Sequence, residues 1–102
     1  MINKRYILKN GVITEEPDLF KWGKWFEEWE ERQIGNDKIK DITVSTVFLG
    51  LDHNFLYDKD TPVLFETMIF GGKHDQYQER YTDMESAKAG HSKAVKLVKE
   101  DK

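Results

Sequence analysis

Two runs of β-branched and aromatic residues, Thr43–Leu51 and Val63–Phe70, constrain the fold of this chain more than any other feature. In the first, Ile42, Val44, Thr46 and Phe48 fall on one side, and Thr43, Ser45, Val47, Leu49 and Leu51 on the other. A period of two with β-branched residues predicts a long strand. The second run is apolar at almost every position, which predicts a strand buried on much of both faces. Residues 52–62 between them are polar and rich in turn formers. Gly71-Gly72 ends the second run, and Gln76–Tyr81 reads as a further strand.

The flanking segments complete an α+β pattern. Arg5–Leu8 and Val12-Ile13 are separated by Asn10-Gly11, the strongest short hairpin signal because both residues tolerate positive φ. Pro17 and Asp18 then predict a helix start, with Asp18 able to cap orphan amides. Leu19, Trp22, Phe26 and Trp29 follow as one apolar stripe, leaving Phe20 and Trp25 off it. Gly35-Asn36 is the expected end of this helix. Thr82 and Glu85 have capping-box spacing, and Met84, Ala87, His91, Ala94, Val95 and Val98 form the stripe of a last helix. The expected architecture is a small antiparallel sheet in the order β-β-α-β-β-β-α, with two helices packed on one face.

A chain of 102 residues suits a single domain, because each half of a two-domain arrangement would be too small for a core without staples. Cysteine is absent, so disulfides and thiolate metal sites are not available. Three Trp, four Tyr and six Phe offset a shortage of aliphatic residues and predict an aromatic core. The net charge of −3 gives no basic footprint for nucleic acid. Neither a signal h-region nor a membrane span is recognisable, which predicts a cytoplasmic protein.

Candidate sites are few. Asp52 and His53 follow the long strand, where polar side chains converge without breaking a core. Ordinary turn chemistry is the simpler account of them. His91, among Ala and Val, reads as a core histidine that donates a ring N–H, with Asp52 or Glu66 as expected partners. Glu66 interrupts an apolar strand and is either solvated or paired. Asp52, His53, Glu66 and His91 thus form a candidate ligand site, whereas no His spacing suggests a metal motif and no cofactor is implied. Ser45 and Ser92 lack a nucleophile elbow, and Gly71-Gly72-Lys73 is not a phosphate loop. Phe20 and Trp25, beside Glu27 and Glu28, are surplus to the stripe and form a candidate surface for a basic protein partner. A solvated helix face accounts for them as readily.

Several runs carry a resemblance. They are Ser45 to Phe55, Pro62 to Gly72, Gln78-Glu79-Arg80-Tyr81 and Ala89-Gly90-His91, with Glu16-Pro17-Asp18-Leu19 and Trp22 to Phe26 upstream. Together they resemble a family of short, uncharacterised proteins encoded by bacteriophages and prophages. That resemblance implies a bacterial cytoplasm as the setting, and brings no activity and no site residue. The expectation is a non-enzymatic protein that binds a host or defence component. The alternatives are a ligand, nucleotide or metal site at the Asp52/His53 loop, and a self-associating virion or assembly accessory.

Overall fold

The computed structural model describes residues 4–52 and 61–100. β4 (Ile42–Phe48) and β5 (Phe65–Phe70) pair antiparallel, with Val44 opposite Ile69, Thr46 opposite Thr67 and Phe48 opposite Phe65. These six side chains are fully buried on one face of the sheet. Alternation turns Thr43, Ser45, Val47, Glu66, Met68 and Phe70 to the opposite face. β3 (Gln33–Ile39) and β6 (Gln78–Tyr81) flank the pair in a four-stranded meander of order β3-β4-β5-β6.

β3 departs from expectation. The aromatic helix does not run on to Gly35-Asn36. It stops at Phe26, and after α2 (Trp29–Arg32), a single turn, the chain enters β3 at Gln33. Gly35 lies inside that strand at an irregularity in register rather than at a helix end. The tight reversal at Lys40, with φ of 58°, returns β3 onto β4. Gln33–Ile39 carries too few apolar residues for its pattern to declare a strand, and pairing with β4 supplies what propensity does not.

α3 (Met84–Glu100) lies across all four strands and buries Ala87, Gly90, Ala94 and Val98. The expected stripe is present, but the cap sits one residue later than Thr82. The Asp83 carboxylate accepts from the Ser86 backbone N–H at 2.6 Å and from the Ser86 hydroxyl at 3.1 Å. These bonds, the backbone one first, hold the Asp83 carboxyl below its ordinary pKa.

Two apolar clusters form beneath α3. Val44, Ile69, Ala94 and Val98 make one. Phe48, Leu64, Phe65, Tyr81 and Ala87 make the other, joined by Leu8 from the N-terminal hairpin. That hairpin is β1 (Tyr6–Lys9) and β2 (Val12–Glu15), turned at Asn10 and Gly11, both with positive φ as expected. It attaches through the Tyr6 N–H donating to the Gly50 carbonyl at 2.8 Å.

α1 (Leu19–Phe26) begins at Asp18, whose Oδ1 accepts from the Phe20 and Lys21 amides, as the sequence predicts. Its inward residues are Trp22, Trp25 and Phe26. The Trp22 indole N–H is shared between the Tyr6 and Gly50 carbonyls, at 3.1 and 3.2 Å, so one side chain ties helix, hairpin and sheet together. Trp25 meets Phe48 edge to face, with centroids 5.6 Å apart, which places α1 on the same side of the sheet as α3. Leu19 and Trp29, expected on the buried stripe, are 56% and 48% exposed. The helix ends before Trp29 can fall in phase, and the buried set shifts to Trp22, Trp25 and Phe26.

Gly90 allows the closest helix–sheet approach, because a Cβ there would overlap the Tyr81 phenol ring. Gly90→Ala therefore costs about 1–3 kcal/mol of stability by overpacking. Tyr81→Phe costs much less, since the buried Tyr81 hydroxyl has no hydrogen-bond partner among the described residues. Urea unfolding of the two variants checks both outcomes.

Tyr77 supplies a second test. Burial, then the hydrogen bond it donates to Glu79, pushes its phenol from 10.0 up to about 12. A folded-state value above the unfolded one means that its stabilisation is complete below pH 10 and is lost as the pH rises toward 12. Urea titrations from roughly pH 9 to pH 12 should show this decline, and Tyr77→Phe should make it shallower, leaving the part due to Tyr6 and Tyr81, whose phenols burial also raises.

Candidate functional site

Two arrangements of side chains stand out, one on each face of the sheet. The first runs through the core. The His91 Nδ1 lies 2.6 Å from the Thr46 hydroxyl, which lies 2.6 Å from the Thr67 hydroxyl. On its other side, His91 Nε2 lies 2.8 Å from Asp37 Oδ1. With Nε2–H donating to Asp37, Nδ1 accepts from Thr46, and Thr46 accepts from Thr67. That tautomer gives every ring nitrogen a partner. The sequence anticipates a partnered core histidine, but the carboxylate is Asp37 on β3 rather than Asp52 or Glu66. Strand β3 was not legible, so Asp37 had no place beside the helix.

Gly35 makes room for this ring. A Cβ there would stand 2.9 Å from His91 Cε1 and Nε2. The histidine thus lies directly against the β3 backbone, between a solvent-facing carboxylate and a buried hydroxyl.

Carboxylate, imidazole and hydroxyl in series are the components of a nucleophilic triad. Access decides against that role. Thr46 and Thr67 are both 0% exposed, under α3, so no substrate carbonyl can reach the hydroxyl. What the arrangement does is join β3, β4, β5 and α3 through one polar chain.

The other candidate residues do not gather around it. Glu66 faces the opposite side of the sheet, where its Oε2 accepts from Arg80 Nε at 2.9 Å and from the Gln78 amide. Asp52 Oδ1 accepts from the Val63 N–H at 2.9 Å. His53 lies outside the described residues. Among the described residues, no group of His, Asp and Glu is placed to hold a metal ion, and no helix is long and apolar enough to cross a membrane.

The second arrangement is the sheet face that α3 leaves uncovered. Val47 and Met68 form its floor, with Thr43, Ser45, Asn36 and Glu66 around them. Trp29 and Phe70 rise at its ends, each 48% exposed. Together they line an open concavity of about 300 Å³. Trp29 is held from behind by Arg32, whose guanidinium carbon lies 3.7 Å from the Phe26 ring centroid and 5.3 Å from that of Trp29. The Arg32 Nε donates to the Phe48 carbonyl at 3.3 Å, and burial lowers its pKa. The exposed indole is therefore fixed in place rather than free to sweep.

Sequence reasoning missed this face, although its signal is present. β5 is apolar on both sides, and the sequence reading assigned both sides to a core. Among the described residues only one is covered, and Met68 and Phe70 lie on the other. Trp25, read as a surface aromatic, is packed against Phe48 instead. Phe20, at 88% exposure, and Glu27 and Glu28 are on the surface as expected. Phe20 lines a separate, shallower depression with Leu19, Trp22, Gly23, Lys24 and Glu27.

No family model, curated protein or solved structure matches this chain.

The polar chain yields a stability prediction. Thr46→Val removes a partner from both His91 and Thr67 and should cost about 1–3 kcal/mol. A double-mutant cycle with His91→Leu should return a coupling energy of about 0.5–3 kcal/mol, as expected for side chains within one network. Chemical denaturation of the four proteins measures it. Additive effects would show that the two residues stabilise the fold independently.

Proposed function

We propose that this protein is a non-catalytic binding module that docks another protein on the open face of its sheet. One observation carries the reading. Trp29 and Phe70 stand exposed around an apolar floor of Val47 and Met68, on a sheet whose other face is fully packed. Outward positions of an antiparallel sheet are ordinarily polar. Contiguous apolar surface rimmed by polar groups is characteristic of interaction sites, and anchored aromatics are the residues that dominate binding energy.

The burial of the one triad-like series supports the same reading, because it removes the best-formed chemical group from contact with substrate. The separation of Asp52, Glu66 and His91 weighs against a single ligand site built from them. The resemblance to bacteriophage and prophage proteins extends the proposal to its setting. There, the partner is a bacterial host or defence component, met in the cytoplasm.

Site-specific photo-crosslinking in bacterial cells tests this. A photoreactive residue at Phe70 should give one discrete protein adduct. The same residue at Ser92, on the exposed side of α3, should not. Trp29→Ala should abolish the Phe70 adduct while leaving thermal unfolding close to that of the parent protein. Equal labelling from both positions, or none from Phe70, would remove the open face as the docking surface.

A further inference from the structure

Resting on that docking reading, we infer that the occupant of the open face is a basic protein segment. It inserts one or two large apolar side chains between Trp29 and Phe70 and sets flanking Lys or Arg against Glu27, Glu28, Glu30 and Glu31. The size of the concavity argues for side chains rather than a whole small molecule. At about 300 Å³, it lies at the bottom of the range for ligand pockets, and it is open rather than enclosing.

Charge argues for the flanks. Glu27, Glu28, Glu30 and Glu31 are all exposed, immediately before and after Trp29 in the chain. The base within the same turn, Arg32, is directed inward onto Phe26 and the Phe48 carbonyl. Arg80, at the far side of the face, is bonded to Glu66. Glu28, Glu30 and Glu31 therefore set exposed negative charge next to Trp29 at one end of the groove, and Glu27 adds to it from the neighbouring depression that it lines with Lys24.

Two other occupants fit less well. A nucleic acid needs its phosphates neutralised by Lys and Arg, and this end of the face repels them. A second copy of the chain would bring the same four glutamates and no basic run on the matching face. A two-fold contact sets each residue against a different one of the second copy, and the bases that register places on this face are Lys38 and Arg80, of which Arg80 is already bonded to Glu66, so one lysine would meet the four glutamates.

Panning a random 16-residue displayed peptide library against the full-length protein tests the inference. Enriched peptides should place Leu, Ile, Met, Phe or Trp between Lys or Arg residues. A synthetic peptide of the consensus should bind at least about tenfold more weakly to Trp29→Ala or Met68→Glu, as for loss of a central anchor. Replacing Glu27, Glu28, Glu30 and Glu31 with Gln should weaken it by about tenfold, mainly through slower association, and raised salt should do the same.

Several results would overturn it. They are enrichment of acidic or uncharged peptides, no enrichment, retention on Met68→Glu, or binding of single-stranded DNA or RNA oligomers in competition with the peptide. Concentration-dependent dimerisation that Met68→Glu abolishes would name a second copy as the occupant instead. If crosslinks still form from Phe70 while basic peptides fail, the docking surface stands and only the partner's chemistry is wrong. Circular dichroism of each variant ensures that lost binding is not lost folding.

Discussion

Phe48 and Phe65 face each other across β4 and β5 with ring centroids 5.3 Å apart, both wholly buried. Most of the remaining structure is arranged around them. Trp25 brings α1 against Phe48, Leu8 brings in the N-terminal hairpin, and Tyr81 and Ala87 bring β6 and α3. Each such aromatic contributes roughly 1.5–3 kcal/mol by burial alone. In a chain poor in aliphatic residues, this one pair lets four separate elements share a core. It also explains why a two-stranded hairpin, marginal by itself, holds its place against the sheet.

Two residues along each strand, the core changes character. Thr46 and Thr67 sit opposite each other in the same register, between the phenylalanine pair and the Val44–Ile69 pair. They split the apolar interior into two clusters. A hydroxyl pair in this position stabilises less than two valines would if it stood alone. Linked to His91 and Asp37, it specifies register instead. Slipping β4 by two residues would set Thr46 opposite an apolar side chain and bring Val44 or Phe48, which have no hydroxyl, into its place beneath the His91 ring. One polar chain thus fixes the alignment of three strands and the rotation of the helix above them, the kind of specificity that apolar contacts alone do not impose.

How much of this was readable without coordinates follows from where the information resides. The β4–β5 pair was legible because β-branched residues and strict alternation are local signals. So were the Asn10-Gly11 turn and the Asp18 cap. β3 was not, because Gln33–Ile39 is a strand by virtue of its neighbour and not by its own composition. Its loss concealed Asp37, and with it the real partner of His91. Gly35 illustrates the same point: as a residue type it suggests a helix stop, whereas its role is set by an imidazole distant in sequence. The open face was half legible. An apolar run on both sides of a strand says that both sides want cover, but local pattern does not reveal that the described residues supply only one cover.

That shortfall bears on how the face avoids indiscriminate association. Exposed apolar sheet faces invite stacking and aggregation unless something limits them. Here Val47 and Met68 are interrupted by Thr43, Ser45 and Asn36. The Glu66–Arg80 pair occupies one side, and exposed Glu28, Glu30 and Glu31 stand next to Trp29 in the chain. On the docking reading proposed above, their combined effect is to restrict the apolar floor to a partner that satisfies both shape and charge. A face meant merely to be solvated would have no use for Trp29 and Phe70, and a face meant for the core would have no use for the rim. Both kinds of residue occur together, which is why the uncovered sheet face, and not the buried histidine, is where function is to be sought.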